Sequence, residues 1–208
     1  MQCTVCGQEY GLTHNCAGIT PSISAEELAP VIPPRFPFFY YLREAYRIVR
    51  WDEVAVRRAS RDKNALFYGV VIWAIGILLA VGVPVISQAA RGGEVNWIQI
   101  ALAIAILLPV LAGLTVLQFG VCHLLARLLF HATGSFVALL RALLLGQLVT
   151  WLFVVPYVGL LLAGLGGIAV LMIVFEEVDG IRRLQAFGIS VVVGLIFQGI
   201  FYSLLASR

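Results

Sequence analysis

Three cysteines and one histidine lie within the first sixteen residues, in the sequence MQCTVCGQEYGLTHNC. Cys3 and Cys6 have the two-residue spacing that presents two thiolates to one ion, and His14 and Cys16 add an imidazole and a third thiolate. Zinc prefers four sulfur and nitrogen ligands in a tetrahedron, and a site with four protein ligands has no open position for substrate. The pattern therefore predicts a structural Zn²⁺ in a zinc knuckle over residues 1–18, where the metal replaces a hydrophobic core.

Two other interpretations of these cysteines stay open. The segment could be a disordered tail with incidental cysteines, or the thiols could have a redox or disulfide role. A cytoplasmic location argues against a disulfide, because thiols are kept reduced there. The fourth cysteine, Cys122, lies in an apolar stretch and is interpreted as a packing residue.

The rest of the chain has the composition of a membrane protein. Of its 208 residues 61% are hydrophobic and only 12% are charged, whereas soluble domains have about 25% charged residues. A helix needs about 20 mostly apolar residues to cross a bilayer. Residues 65–208 contain five such stretches, near 65–89, 97–125, 135–155, 157–175 and 184–206. The predicted fold is an all-α polytopic membrane protein with five transmembrane helices.

The basic residues predict the orientation of these spans. Lys and Arg beside spans favour the cytoplasmic side. With the N-terminus in the cytoplasm, twelve of the fourteen basic residues lie on that side, and only Arg91 and Arg208 lie outside. The expected location is a prokaryotic inner or plasma membrane, with the C-terminus outside. No cleavable signal peptide is expected, because the first sixteen residues lack an apolar segment.

Two segments connect the zinc knuckle to the first span. Residues 19–37 contain five prolines and predict an extended linker. Residues 38–64 predict a basic amphipathic juxtamembrane helix, broken near Trp51 and Asp52. Its apolar side (Phe39, Leu42, Tyr46, Val49 and Val56) would enter the lipid, while its arginines would face anionic headgroups. The alternative is a solvated helix whose arginines only set the topology.

Nucleic acid is not expected as a partner, since the net charge is only +3 and acidic residues are interleaved with the basic ones. Glycine-rich faces occur on the first span (Gly69, Trp73, Gly76, Ala80) and on the fourth (Gly159, Ala163, Gly167). Such a face serves close packing within one chain or the pairing of two chains in a homo-oligomer.

Polar residues within the spans are few. Arg141 is expected to pair with Glu176 or Glu177, although a proton or ion path is an alternative. Gln118, Gln147, Thr150 and Gln198 are expected to form interhelical hydrogen bonds. The sequence contains no HExxH motif and no Walker loop, so the predicted protein is not an enzyme. A membrane enzyme would need Glu176, Glu177, Asp179 and His123 to converge.

The stretch from His131 to Phe197 resembles the Yip1 domain, a family of five-span membrane proteins. The similar features are Gly134-Ser135-Phe136 with Arg141, a span ending in Pro156, a glycine-bearing span around Gly164–Gly167, a short polar loop, and a last span led by Ala186. The sequence EEVDG differs from the family, in which a histidine-glycine pair is common at this loop. The resemblance implies no catalytic residues. Eukaryotic members are associated with Rab GTPases and vesicle traffic, and the N-terminal zinc segment suggests a prokaryotic member.

The expected function is a non-enzymatic membrane scaffold that organises the bilayer and recruits a cytoplasmic partner through its zinc segment. The alternative is a small-solute or ion transporter or channel, with spans interrupted near Pro84 or Pro109. A polar cavity lined by the three glutamines would favour transport, and a tightly packed bundle would favour the scaffold.

Overall fold

The computed structural model describes residues 37–155 and 158–206, and every element in this part is helical. The zinc knuckle of residues 1–18 and most of the linker of residues 19–37 lie outside the described residues.

Two short helices precede the spans. Helix α1 comprises Pro37–Val49 and α2 comprises Glu53–Arg61. The predicted break between them is confirmed: Asp52 caps α2, and its carboxylate accepts a hydrogen bond of 3.1 Å from the Ala55 amide. Trp51 has φ 65°, which is uncommon for a bulky residue. The chain therefore turns sharply here instead of forming one continuous helix.

The first two long helices are α3 (Asn64–Ala90) and α4 (Trp97–Phe130). Pro84 and Pro109 lie inside these helices, so the spans are not interrupted there as the transport alternative would require. The second span was expected to end near Leu125. Instead, α4 continues to Phe130. The exposed Arg127 is accommodated in the last turn of the helix, and the helix ends at its cap residue His131, which has φ 56°.

The predicted third span is not uniformly α-helical. Helix α5 (Phe136–Gly146) begins at the Ser135 cap and passes into a 3₁₀ segment, Gln147–Val154. Helix α6 (Gly159–Val174) follows and packs against this segment. It ends in a π-helical turn, Phe175–Asp179, before Gly180 and α7 (Arg183–Ala206). Long 3₁₀ segments and π turns are uncommon in helices and often occur at functional sites.

Four helical stretches are long and apolar enough to cross a membrane: Asn64–Ala90, Trp97–Phe130, Phe136–Val154 and Leu161–Asp179. The chain therefore has the architecture of an all-helical membrane protein. Helix α7 also carries an apolar stretch, and the part of it whose side chains the structure describes without a gap is Arg183–Phe197. Its role as a span is part of the proposal below.

The glycine face of α3 packs inside the bundle. Gly69 lies so close to α5 that an added Cβ would be 2.7 Å from Leu144 Cβ and 2.9 Å from the Leu145 backbone nitrogen. Gly76 is similarly close to Thr150 in the 3₁₀ segment, and the indole of Trp151 donates a hydrogen bond of 2.9 Å to the Ile72 carbonyl. Gly69 and Gly76 therefore serve close packing between helices of the same chain.

The face of α6 is used differently. Gly159 lies against the Leu152 carbonyl, and Ala163 is buried, but an added Cβ at Gly167 would meet nothing within 4 Å. This face therefore packs tightly only at its start and leaves open space further along the helix.

Candidate functional sites

The predicted zinc ligands Cys3, Cys6, His14 and Cys16 lie outside the described residues. Within residues 37–155 and 158–206, no group of three or more His, Cys, Asp or Glu side chains could hold a metal ion. Cys122 is a buried free cysteine, which agrees with a packing role.

One end of the helix bundle gathers most of its ionisable residues, and we call it the charged end. It contains α1, α2, the last turns of α4, the start of α5 and the turn between α6 and α7. Here the Arg57 guanidinium pairs with the Glu177 carboxylate, and Arg183 pairs with Glu176 and, at 3.5 Å, with Glu53. These pairs connect α2 to the turn after α6.

Arg141 does not pair with Glu176 or Glu177, so this prediction is wrong. Its guanidinium instead donates a hydrogen bond of 3.3 Å to the Ser60 carbonyl on α2. Arg57 and Arg183 occupy the two carboxylates because α2 packs between α5 and the π-helical turn.

The most deeply buried polar pair at the charged end is His123 and Asp179. His123 Nδ1 lies 2.9 Å from Asp179 Oδ2, and both side chains are almost inaccessible to solvent. Asp179 Oδ1 has no hydrogen-bond partner. Gly134 lies directly against Asp179 and the Val178 carbonyl, at a position where a Cβ would not fit. The pair therefore fastens the end of α4 and the start of α5 to the π-helical turn.

The membrane-enzyme alternative required four groups to converge. Asp179 does meet His123, but Glu177 and Glu176 are held by Arg57 and Arg183. In the described structure Glu53 links Arg57 and Arg183, so Glu176 and Glu177 belong to one ion-pair network. The His123–Asp179 pair is separate from it, and the four groups do not converge on one reaction centre.

Helices α1 and α2 dock on α5 through one buried face. Tyr41, Ala45 and Ile48 of α1, with Val56 of α2, belong to the hydrophobic core. The Tyr41 ring stacks on Tyr68 with ring centroids 4.2 Å apart, and its hydroxyl donates a hydrogen bond of 2.5 Å to Asp62. Burial and the Asp62 carboxylate raise the pKa of Tyr41, which keeps this hydroxyl protonated as a donor.

The residues expected to form one apolar side of the juxtamembrane segment do not share one environment, because the docking of α1 and α2 buries some of them and leaves others exposed. Val56 is buried in the bundle, whereas Phe39 and Tyr46 are 68% and 54% exposed. Arg43 and Arg50 are exposed as well. At helical spacing these four residues share the outward side of α1, which we call the outer face. It combines aromatic rings with guanidinium groups.

A cleft of about 380 Å³ lies between α4, α6, α7 and the start of the 3₁₀ segment. Four polar side chains line it: Thr115, Gln118, Gln147 and Ser190. Two of the three glutamines singled out in the sequence therefore come together. The expectation that they bond between helices is not met, because no hydrogen bond within the described part of the chain reaches either side-chain amide. The side chain of Gln198 lies outside the described residues.

Sequence reasoning missed the contribution of Thr115 and Ser190 to this cleft. No sequence pattern marks these two residues as polar lining, because Ser and Thr in apolar helices commonly hydrogen-bond to the backbone of their own helix. Ser190 does so here, with a hydrogen bond of 2.7 Å to the Ala186 carbonyl.

No family model matches the sequence, and neither the curated proteins nor the solved structures contain a significantly similar chain. The resemblance to the Yip1 domain accordingly stays a prediction.

Proposed function

We propose that this protein is a non-enzymatic, five-span membrane scaffold that recruits a cytoplasmic protein through a zinc-binding N-terminal segment. Helix α7 supplies the fifth span, and Cys3, Cys6, His14 and Cys16 hold one structural Zn²⁺. The outer face of α1 contacts anionic headgroups. The Yip1-like arrangement in a prokaryotic inner or plasma membrane is part of the same proposal.

The observation that carries this proposal is the firm docking of α1 and α2 on the charged end. Helix α1 begins at Pro37 and is the first described element of the chain. Ion pairs from Arg57 and Arg183, together with the buried residues Ile48 and Val56, hold α1 and α2 against the spans. The Arg183 guanidinium also lies 5.2 Å from the Trp51 ring centroid, a cation–π contact at the turn between the two helices. A recruiting segment needs such a fixed attachment at the membrane surface.

The zinc part of the proposal is tested with the full chain in lipid nanodiscs. We expect about one zinc per chain by elemental analysis, and its loss in the double variant Cys3→Ser/Cys6→Ser. Captured cytoplasmic proteins should be lost with the metal, both in the variant and after chelation.

The matched control is Cys122→Ala, which removes the buried cysteine of α4 and leaves all four predicted zinc ligands in place. This variant should keep its zinc and its captured proteins. Zinc in equal amounts in the double variant would contradict the metal site. Zinc loss with an unchanged set of captured proteins would contradict its role in recruitment.

The orientation is tested by labelling single introduced cysteines in a background from which Cys3, Cys6, Cys16 and Cys122 have all been replaced. We expect a cysteine at Gly92, between α3 and α4, to react with an impermeant maleimide added to intact cells, because this loop lies outside in the proposed topology. A cysteine at Lys63, at the start of α3, should react only after the membrane is opened. The reverse pattern would refute the topology, and with it the reducing environment expected for the zinc ligands.

The cleft favours the transport alternative in one respect, because Gln118 and Gln147 line it. However, Phe119 and Leu171 are both buried, and they close the cleft on the side nearest the charged end of the bundle. A route for a solute between the two aqueous sides requires an opening at each end. The cleft therefore supports binding from the side better than passage through the bundle.

A further inference from the structure

The two glutamines of the cleft lie at a depth where an unpaired amide is costly. Gln118 is nine residues before Arg127 on α4, which corresponds to about 14 Å along the helix. Gln147 is six residues after Arg141. Both positions lie well inside an apolar layer about 30 Å thick. Because hydrocarbon offers no hydrogen bonds, each amide gains stability from a polar partner inside the cleft.

The change from α-helix to 3₁₀ helix occurs at Gln147. Gln147 is the C-terminal cap of α5. Its backbone N–H donates hydrogen bonds to carbonyl groups in the last turn of that helix, so the position of its backbone is well defined. Its side chain lines the cleft together with Gln118 and Thr115. These three side chains offer both donors and acceptors within one space.

The cleft is closed towards the charged end. Each of its helices continues in that direction into the buried core, through Cys122 on α4, Phe175 after α6 and Ala186 on α7. Phe119 and Leu171 form the adjoining wall. Buried apolar side chains therefore separate the cleft from the water and ions on that side.

The cleft is open on the side that faces lipid. Gly164 and Leu195 line it and are exposed, and an added Cβ at Gly164 or Gly194 would meet nothing within 4 Å. Exposed positions in the middle of membrane-spanning helices face acyl chains. A ligand can thus enter sideways from the bilayer, past Gly164 of α6 and Leu195 of α7, while its tail stays in the lipid.

The chemistry of the lining restricts the head group of such a ligand. The lining residues are uncharged, so they provide no counter-ion for a phosphate, a carboxylate or an amine. A charged head would be buried without a partner, at a large cost in free energy. An uncharged hydroxyl, in contrast, can donate to a glutamine carbonyl and accept from a glutamine amide. The volume of about 380 Å³ falls in the range of small-molecule sites.

We propose that the cleft is a lipid-facing binding site for a neutral long-chain alcohol, whose hydroxyl group bonds to Gln118 and Gln147 and whose chain leaves past Gly164 and Leu195. The site is separate from α1 and α2, so it does not depend on the scaffold function. Recruitment can fail its test while this site passes, and the reverse is also true.

The test uses the full chain in nanodiscs and a hexadecanol that carries a diazirine on its chain. After photolysis, mass spectrometry should place the label on the parts of α4, α6 and α7 that border the cleft. Unlabelled hexadecanol should compete for this labelling. The double variant Gln118→Leu/Gln147→Leu should bind the probe about tenfold more weakly, as expected for a loss of about 1.4 kcal/mol in hydrogen bonding.

Two further variants separate a specific site from a change in folding. Gln99→Leu alters an exposed glutamine near the start of α4 and should leave the labelling unchanged. Gly164→Leu fills open space in the cleft without changing its polar groups, and it should block labelling as well. Thermal unfolding of each variant shows whether its fold is intact.

Three results would overturn the proposal. Labelling spread evenly over the lipid-facing helices without competition would mean that the probe only samples bulk lipid. Equal labelling of the native chain and the double-glutamine variant would remove the role of the amides. Equal labelling by a diazirine-bearing palmitate at neutral pH would contradict the requirement for an uncharged head.

Discussion

Replacing His123 with Ala should lower the unfolding temperature of the purified protein by roughly 10 °C. Asp179 Oδ1 already has no partner, and this substitution removes the only hydrogen bond to Oδ2 in the described structure. Breaking a buried polar pair in this way costs about 3–5 kcal/mol, and each kcal/mol lowers the unfolding temperature by about 2–4 °C in a chain of this size. The measurement is thermal unfolding in a single detergent, followed by intrinsic tryptophan fluorescence.

The control for this substitution is His131→Asn. His131 is exposed at the end of the same helix and has φ 56°, a conformation that Asn adopts readily. The unfolding temperature of the His131→Asn variant should stay within about 2 °C of the native value. The double variant His123→Leu/Asp179→Leu should be more stable than His123→Ala, because it leaves no unpaired carboxylate. A native unfolding temperature for His123→Ala would mean that the pair does not fasten α4 to the π-helical turn.

Replacing Gly69 with Ala should destabilise the bundle by about 1–3 kcal/mol, the usual cost of an overpacked interior. The new methyl group would lie 2.7 Å from Leu144 Cβ and 2.9 Å from the Leu145 backbone nitrogen. The second contact is with backbone, which cannot rotate away, so α3 and α5 would have to separate. Chemical or thermal unfolding of the purified protein measures the loss.

Gly82→Ala is the matched control because it lies on the same helix and its added Cβ would meet nothing within 4 Å. It should be neutral or slightly stabilising, since Ala favours a helix over Gly. If both substitutions have the same effect, the close approach of α3 to α5 is not what makes Gly69 necessary.

Hydropathy was sufficient to predict where the long apolar helices begin, because an apolar layer forces each backbone to satisfy its own hydrogen bonds. The break near Trp51 and Asp52 also follows from the local sequence. The extension of α4 to Phe130 and the 3₁₀ segment after α5 were not predicted. The gathering of basic residues at one end follows from the charge pattern. The prediction for Arg141 was wrong, since neighbouring helices decide which carboxylates an arginine can reach. The spans also continue through Pro84 and Pro109, which the transport alternative had placed at interruptions.

One physical cause explains why the sequence predicted the helices but not the contacts between their polar groups. A helix that is apolar on every side carries almost no information about which side faces its neighbours, so its rotation in the bundle depends on side-chain packing. That rotation brings Asp179 to His123 through the π-helical turn, places Arg57 rather than Arg141 beside Glu177, and turns Gln118 and Gln147 into one cleft. The residues of the chain determined that it enters a membrane and where its helices begin, while only the tertiary packing decided which polar groups meet there.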